Sequence, residues 1–350
     1  VMAKVQFTDM TALELSYLNY LNTSGSDPVK WNMIEWFLLH IATKIANEKV
    51  LRGIQGYFHT PATGTAGHFM HAADGLIKKL FDYNRERKLL PFVDANCDDY
   101  TSATIGDVLT YFVSQIAAVR EDWADFVIYV NEAHRPWFIH WYESKYGTFN
   151  NYNGAVTDIV PEYNNAIKWV PGMGNMQFIF ASLPGNIQLL ENVPGEEYRM
   201  QFQRDLEEVI AFSYWKEGVG AGFVGKAISA ANWAAYDGAD QIIFMNWPAV
   251  TLEADDDAPD AEDGRIFVTS DNSEGTGVGG ADVPVEIEDI DNAEEGVIYI
   301  IVCGGDTNAT TIQKAGKMSI SKDWEPTAVG QWIALYYDAT EDKFYEADRG

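Results

Sequence analysis

The sequence predicts an α+β body followed by an acidic linker and an appended C-terminal all-β domain. Three observations carry this expectation. Apolar residues recur at helical spacing in several segments before residue 147, most clearly from Lys30 to Arg52. Strand-length apolar runs bounded by glycine, proline and asparagine begin at Phe126. Beyond Pro248 the helical pattern stops, and short β-rich runs alternate with glycine-rich turns.

Taken in order, Val1 to Pro28 reads as an arm, with one short apolar-periodic piece at Leu13, Leu15, Leu18 and Leu21. Lys30 to Arg52 is the strongest helix signal. Met33, Ile34, Phe37, Leu38, Ile41, Ile45 and Leu51 fall mainly at three- and four-residue steps, and Gly53 stands where the helix should end. Gly53 to Gly75 is rich in Gly, Thr and Ala and predicts a loop, followed by a helix at Leu76 to Leu89 closed by Pro91. Thr104 to Asp122 is amphipathic and leads into a buried-strand run, Phe126 to Val130. Ala133 to Gly147 mixes aromatic and polar residues at helical spacing, with Gly147 in the C-cap place.

Shorter strands and turns follow. They are Asp158 to Val160, Ile167 to Val170, the Pro171-Gly172 turn, Met176 to Phe180 and Leu183 to Asn186. In Glu197 to Trp215, Tyr198, Met200 and Phe202 alternate, as do Ile210, Phe212 and Tyr214, which favours strands over the helical face that Leu206, Val209 and Ile210 would also suit. The Asp/Ala/Pro run from Glu253 to Asp263, within a linker over 251–264, reads as solvated chain. Beyond it, Arg265 to Thr269, Val283 to Ile287, Val297 to Val302 and Trp332 to Tyr337 predict a small separate β domain over 265–350, sandwich-like in character.

The order of elements from Phe126 to Gly222 resembles the central body of a tailed-bacteriophage major capsid (major head) protein of the Hong Kong ninety-seven-type fold. The crAss-like phages are the suggested group within it. The resemblance spans roughly Trp31 to Val250. It implies a spine helix at 30–52, an apical part at about 104–193 and peripheral return strands at about 196–250, together a body over 29–250, with 1–28 holding the arm and the remnant of an extended loop.

It further implies a structural virion protein, not an enzyme, that self-assembles as hexamers and pentamers into an icosahedral shell around double-stranded DNA. The implied partners are further copies of the chain, portal and decoration or head-fibre proteins, and DNA through weak non-specific contact only. The implied location is the virion, and the host cytoplasm during assembly. The start at Val1 is compatible with the cleavage that many such proteins undergo. Two rival readings are an encapsulin-type compartment shell protein, which shares the architecture, and a glycan-binding or glycoside-cleaving surface protein, suggested by 11 Trp, acidity and the β-rich tail.

Composition narrows the function classes. The 350 residues, 47% hydrophobic and 13% aromatic, suffice for a sizeable core and two or three domains. No run of about 18 apolar residues is present, so no membrane partner is expected. Cys97 and Cys303 alone exclude a disulfide framework. The net charge is −28, and residues 251–350 hold 24 acidic against 6 basic residues, a net of −18. Phosphate-backbone binding draws on clustered Lys and Arg, so sequence-specific nucleic-acid recognition is not expected.

Several segments mimic catalytic or ligand-binding motifs. Gly220 to Ala227 meets most of the phosphate-binding loop pattern and contains Gly-x-Gly-x-x-Gly at Gly220, Gly222 and Gly225. Ala227 replaces the required hydroxyl, and the strand Ile242 to Met245 ends in Asn246 rather than Asp, so the segment reads as a glycine-rich turn. His68, His71 and Asp74 could face one way on a helix, but Gly67 and Gly75 flank them. His40, His59, His134 and His140 stand singly among aromatics. Adjacent carboxylates at Asp98-Asp99, Glu121-Asp122, Glu196-Glu197, Glu207-Glu208 and Asp255 to Asp257 read as solvated faces, and Lys78, Lys79, Arg85, Arg87 and Lys88 as the polar face of a helix. No catalytic, cofactor or metal residue is therefore expected.

Overall fold

The computed structural model describes residues 2–7, 17, 33–58, 67–92, 100–147, 158–174, 176–205, 208–233, 235–246, 249–253, 256–262, 264–271, 285–294, 297–339 and 341–350. In chain order the first half runs β1 (Met2–Phe7), α1 (Met33–Gln55), α2 (Leu76–Arg85), α3 (Ile105–Val119), β2 (Val127–Asn131), α4 (Arg135–Tyr146), β3 (Ile167–Val170) and β4 (Ile179–Ser182). Then follow β5 (Ile187–Glu191), β6 (Gln201–Asp205), β7 (Glu208–Tyr214), β8 (Glu217–Ala221), α5 (Ala230–Trp233) and β9 (Ile243–Met245). The last part is β10 (Val250–Thr251), β11 (Ile266–Thr269), β12 (Ile298–Cys303), β13 (Met318–Ser319), β14 (Trp332–Asp338) and β15 (Lys343–Arg349). The expected mixture of helix and strand is present, and the chain divides into two compact units.

The first unit comprises Val1–Leu76 and Gln188–Gly220. Its sheet has the order β1-β7-β6, with β1 antiparallel to β7 from Met2 opposite Tyr214 to Phe7 opposite Val209. The start of the predicted arm is thus a strand, while Leu13, Leu15, Leu18 and Leu21 lie outside the described residues. The alternation read between Glu197 and Trp215 becomes the antiparallel pair β6–β7. Helix α1 buries Ile41 and Ile45 against Trp215, with Met200 alongside.

Contrary to the sequence reading, α1 continues through Gly53 to Gln55. A helical glycine costs only about 1 kcal/mol, and Lys49 and Arg52 tie this last part of the helix to the strands. The termination falls at Gly56, where a Cβ would lie 2.4 Å from the Arg52 carbonyl and 2.5 Å from that of Ala73. A 3-10 turn at Phe69–Ala72 follows, with the Met70 amide donating to the His68 imidazole Nδ1 at 3.4 Å.

The second unit comprises Ile77–Ile187 and Ala221–Gly350. One of its sheets has the order β3-β2-β4-β9; β2 is parallel to β3, across the α4 crossover, and antiparallel to β4. Helices α3 and α4 supply Leu109, Phe112, Val113, Ile116, Phe138 and Trp141 to the core with Ile128, Val130 and Phe244. The helices can close because position 106 is glycine: a Cβ there would lie 2.2 Å from the Trp141 ring. Gly147, at φ 83°, ends α4 as the sequence predicts. Helix α2 stops at Arg85 instead of Leu89, because Arg87 takes φ 56° and turns the chain so that Leu89 is buried. The run Asp158 to Val160 forms only a bridge, Ile159 with Ala166.

The other sheet has six strands in the order β10-β11-β12-β14-β15-β13, and it corrects two expectations. Among the described residues it is a single mixed sheet rather than a sandwich, with β10–β11, β11–β12 and β13–β15 parallel and β12–β14 and β14–β15 antiparallel. It is also not a self-enclosed appendage. One face holds Phe267, Tyr299, Ile301, Ile333, Leu335 and Phe344. The other, carrying Ile266, Ile300, Trp332 and Ala334, packs on Phe81 of α2.

The described part of 251–264 is likewise not solvated linker. Leu252 is buried and its amide bonds the Val268 carbonyl at 2.9 Å, Pro259 is nine-tenths or more covered, and Asp260 bridges to Asp291. The aspartates serve as turn formers here: Asp256 accepts from the Ala258 amide at 3.1 Å and Asp260 from that of Glu262 at 2.9 Å.

Candidate functional site

The most organised polar constellation lies in the first unit, where the end of α1 meets the two-stranded ribbon β5–β8. Lys49 and Arg52 are three positions apart and therefore project to one side of the helix. The Lys49 ammonium donates to Glu191 Oε1 at 2.5 Å and to Glu197 Oε1 at 2.6 Å. Burial alone would lower the Lys49 pKa, but the bonds to the two carboxylates outweigh it and hold it above the usual lysine value. Burial would raise that of Glu197, yet the Lys49 bond and a backbone bond hold it below the usual carboxylate range. Glu197 thus leaves the solvated-face reading of Glu196-Glu197.

Arg52 Nε donates to Glu217 Oε1, and its guanidinium lies 5.8 Å from the centre of the Trp215 ring. Trp215 Nε1 donates to the other Glu217 oxygen at 2.6 Å, and a second Arg52 nitrogen reaches the Phe69 carbonyl at 3.4 Å. This fastens α1, the ribbon and the 67–72 turn as one body.

The same elements also carry exposed apolar side chains. Leu39 is 55% exposed, and Val50 and Leu51 are also exposed on α1. On β5, Leu189 and Leu190 are 52% and 57% exposed; as neighbours in a strand they point to opposite faces of the ribbon. Helix and ribbon meet around Gly53, where a Cβ would lie 3.9 Å from Val219 Cγ2 and 4.0 Å from Leu189 Cδ1. The arrangement is a fastened helix and ribbon with several apolar side chains left exposed.

Gly222 to Ser229 is irregular chain after β8, with Lys226 and Ala227 exposed, and no helix begins where a phosphate-binding loop would need one. His68 and His71 have ring centres 5.6 Å apart, and Asp74 Oδ1 accepts from the Phe58 amide at 2.9 Å, away from a shared centre. Among the described residues no group of three His, Cys, Asp or Glu could hold a metal ion.

Asp122 pairs with Arg120 at 2.6 Å; Asp98, Asp99, Glu207, Asp255 and Cys97 lie outside the described residues. Lys78 pairs with Asp82 along α2 at 2.5 Å with both side chains largely covered, and Lys88 pairs with Glu86 at 2.5 Å beyond the end of that helix, so the five basic residues do not form one solvated helix face. Cys303 is buried, its thiol donating to the Gly305 carbonyl at 3.1 Å. No helix among the described residues is long and apolar enough to cross a membrane.

Sequence reading missed Lys49, Arg52, Glu197 and Glu217 as a set. The only local signal was Lys49-x-x-Arg52 on an otherwise apolar helix end.

No protein-family model matches the chain, and no curated protein matches it. Among solved structures, the chain is similar to one in the procapsid of satellite phage P4 with its size determination (Sid) protein. The TM-score is 0.40 at 13% identity, covering 69% of this chain and 69% of that one. It is also similar to one in the capsid of the Myoviridae phage XM1, with a TM-score of 0.37 at 11% identity, covering 70% of this chain and 71% of that one.

Proposed function

We propose that the chain is a shell-forming structural subunit, the major capsid protein of a tailed bacteriophage, which associates with copies of itself as hexamers and pentamers in an icosahedral shell around double-stranded DNA. The observation that carries this reading is the helix–ribbon body: a 23-residue helix locked to its strands by buried ion pairs while Leu39, Val50, Leu51, Leu189 and Leu190 remain in solvent. Exposed apolar groups gathered on a rigid body mark an association surface. The element order from Phe126 to Gly222, with its resemblance to phage major capsid proteins, supports the same reading. The net −18 of residues 251–350 belongs on the outer surface, away from packaged phosphates, where it also keeps particles apart. Portal and decoration or head-fibre proteins are the further partners of this proposal.

The test is sedimentation velocity and negative-stain microscopy of the expressed chain and of native particles, with the ratio of nucleic-acid to protein absorbance. Closed particles containing DNA are expected. Closed particles filled with protein cargo would identify a compartment instead, and material that remains monomeric or dimeric would overturn the shell reading.

A further inference from the structure

The glycine-rich segment after β8 holds the most exposed large apolar side chain among the described residues, Phe223, 73% exposed. Its backbone is anything but loose. Asn186, itself buried, accepts from the Phe223 amide through Oδ1 at 2.8 Å and donates through Nδ2 to the Phe223 carbonyl at 2.8 Å. Ser182 Oγ accepts a further bond from the same Nδ2 at 2.9 Å, and the Gly222 amide bonds the Asn186 carbonyl at 2.9 Å.

Downstream, the Val224 carbonyl accepts from the Ile242 amide at 2.7 Å and the Ile228 amide donates to the Arg87 carbonyl at 2.9 Å. Between them Gly225 lies so close to the Lys88 carbonyl that a Cβ would come within 2.4 Å of it. A loop pinned at this many points presents one aromatic ring to solvent. That is the economy of an interface anchor, since the ordering entropy is lost on folding rather than on binding.

The surroundings indicate what the ring meets. Lys226 and Arg87 are exposed on the fastened segments, two cationic side chains in a chain of net charge −28. A surface of that sign is complementary to a second copy of this same acidic chain.

We infer that Phe223 is the anchor of a head-to-tail contact between copies, seated among the exposed apolar residues of the neighbour's helix–ribbon body, Val50, Leu51, Leu189 and Leu190. Different patches meeting in this way form a heterologous contact, the kind that closes into rings. The inference rests on the shell reading and names the surfaces that would build it.

The experiment uses the full chain with Phe223→Asp and, separately, with p-benzoylphenylalanine placed at position 223. Near-ultraviolet circular dichroism and the melting temperature of Phe223→Asp should match those of the parent, because the replaced ring is in solvent. The concentration needed for particle formation should rise by about tenfold or more. Photolysis of particles should join position 223 to peptides containing Val50–Leu51 or Leu189–Leu190 of another copy, as shown by mixing isotopically labelled and unlabelled chains. Particles that form equally well from Phe223→Asp, or adducts confined to one chain or to other peptides, overturn this contact and leave the shell reading standing. A parent chain that stays monomeric overturns both.

Discussion

Arg52 and Glu217 stand 165 positions apart in the sequence and form an ion pair whose side chains are 3% and 4% exposed. The pair does not make the first unit stable merely by attracting, because desolvating both groups consumes much of the Coulombic gain. Its effect is to make one arrangement of α1 on the ribbon far better than any other, since every alternative leaves a charge buried without its partner. Trp215 reinforces the choice by donating to the second Glu217 oxygen and lying against the guanidinium.

Removing one partner should therefore be worse than removing both. Glu217→Ala leaves the Arg52 guanidinium uncompensated and should lower the unfolding free energy by about 3–5 kcal/mol. The double variant Arg52→Met with Glu217→Leu should recover most of that loss. Urea unfolding followed by tryptophan fluorescence, for which Trp215 is a local reporter, checks it. A double variant as unstable as the single one would show that the carboxylate acts through something other than Arg52.

Acid should reach the second unit through His134. Its ring stacks on Trp137 with centres 4.2 Å apart, and its Nδ1 is 2.9 Å from the Tyr100 hydroxyl. Burial depresses its pKa to about 4 and raises that of Tyr100. The folded state thus resists a proton that the unfolded chain accepts at about 6.5. Stability is fully present above that value and is lost as pH falls toward 4, by up to roughly 3 kcal/mol. His134→Gln should flatten this part of the stability profile between pH 4 and 7. An NMR titration of the ring with a midpoint near 6.5 would contradict the argument.

Local pattern made much of this fold legible. The three- and four-residue steps of Ile41, Ile45 and their neighbours fix α1, Gly147 fixes the end of α4, and alternation around Phe212 fixes β7. What was not legible depends on partners distant in sequence. Nothing within Met2–Phe7 tells that it pairs with Glu208–Tyr214, and nothing beside Glu197 tells that Lys49 will bury it. The acidic stretch after Thr251 misled for a different reason. Its carboxylates are dense enough to suggest solvated chain, yet Leu252 and Pro259 are buried among them and the aspartates close turns. Asn186 and Phe223 were likewise invisible as a pair, since one buried amide holding two backbone groups leaves no periodic trace.

The C-terminal sheet should melt together with α2 instead of behaving as a detachable module. Phe81 meets Trp332 edge-on, with ring centres 5.0 Å apart and an interplanar angle of 83°, and the Arg85 guanidinium lies 5.6 Å from the Trp332 ring centre. Arg85 also pairs with Asp348 at 3.3 Å. Replacing a buried aromatic by alanine typically removes about 3–5 kcal/mol, so Trp332→Ala and Phe81→Ala should each lose an amount of that order. The two losses should be less than additive, because both variants empty the same contact. The described residues of the acidic stretch, held by the Leu252 amide and the Asp260–Asp291 bridge, should resist protease as well as the sheet does. Limited proteolysis with mass spectrometry, run beside thermal unfolding of the cut and uncut chain, measures both effects. A rapid cut within 256–262 that frees a folded C-terminal fragment and leaves the melting temperature of the remainder unchanged would show that the Phe81–Trp332 packing is dispensable.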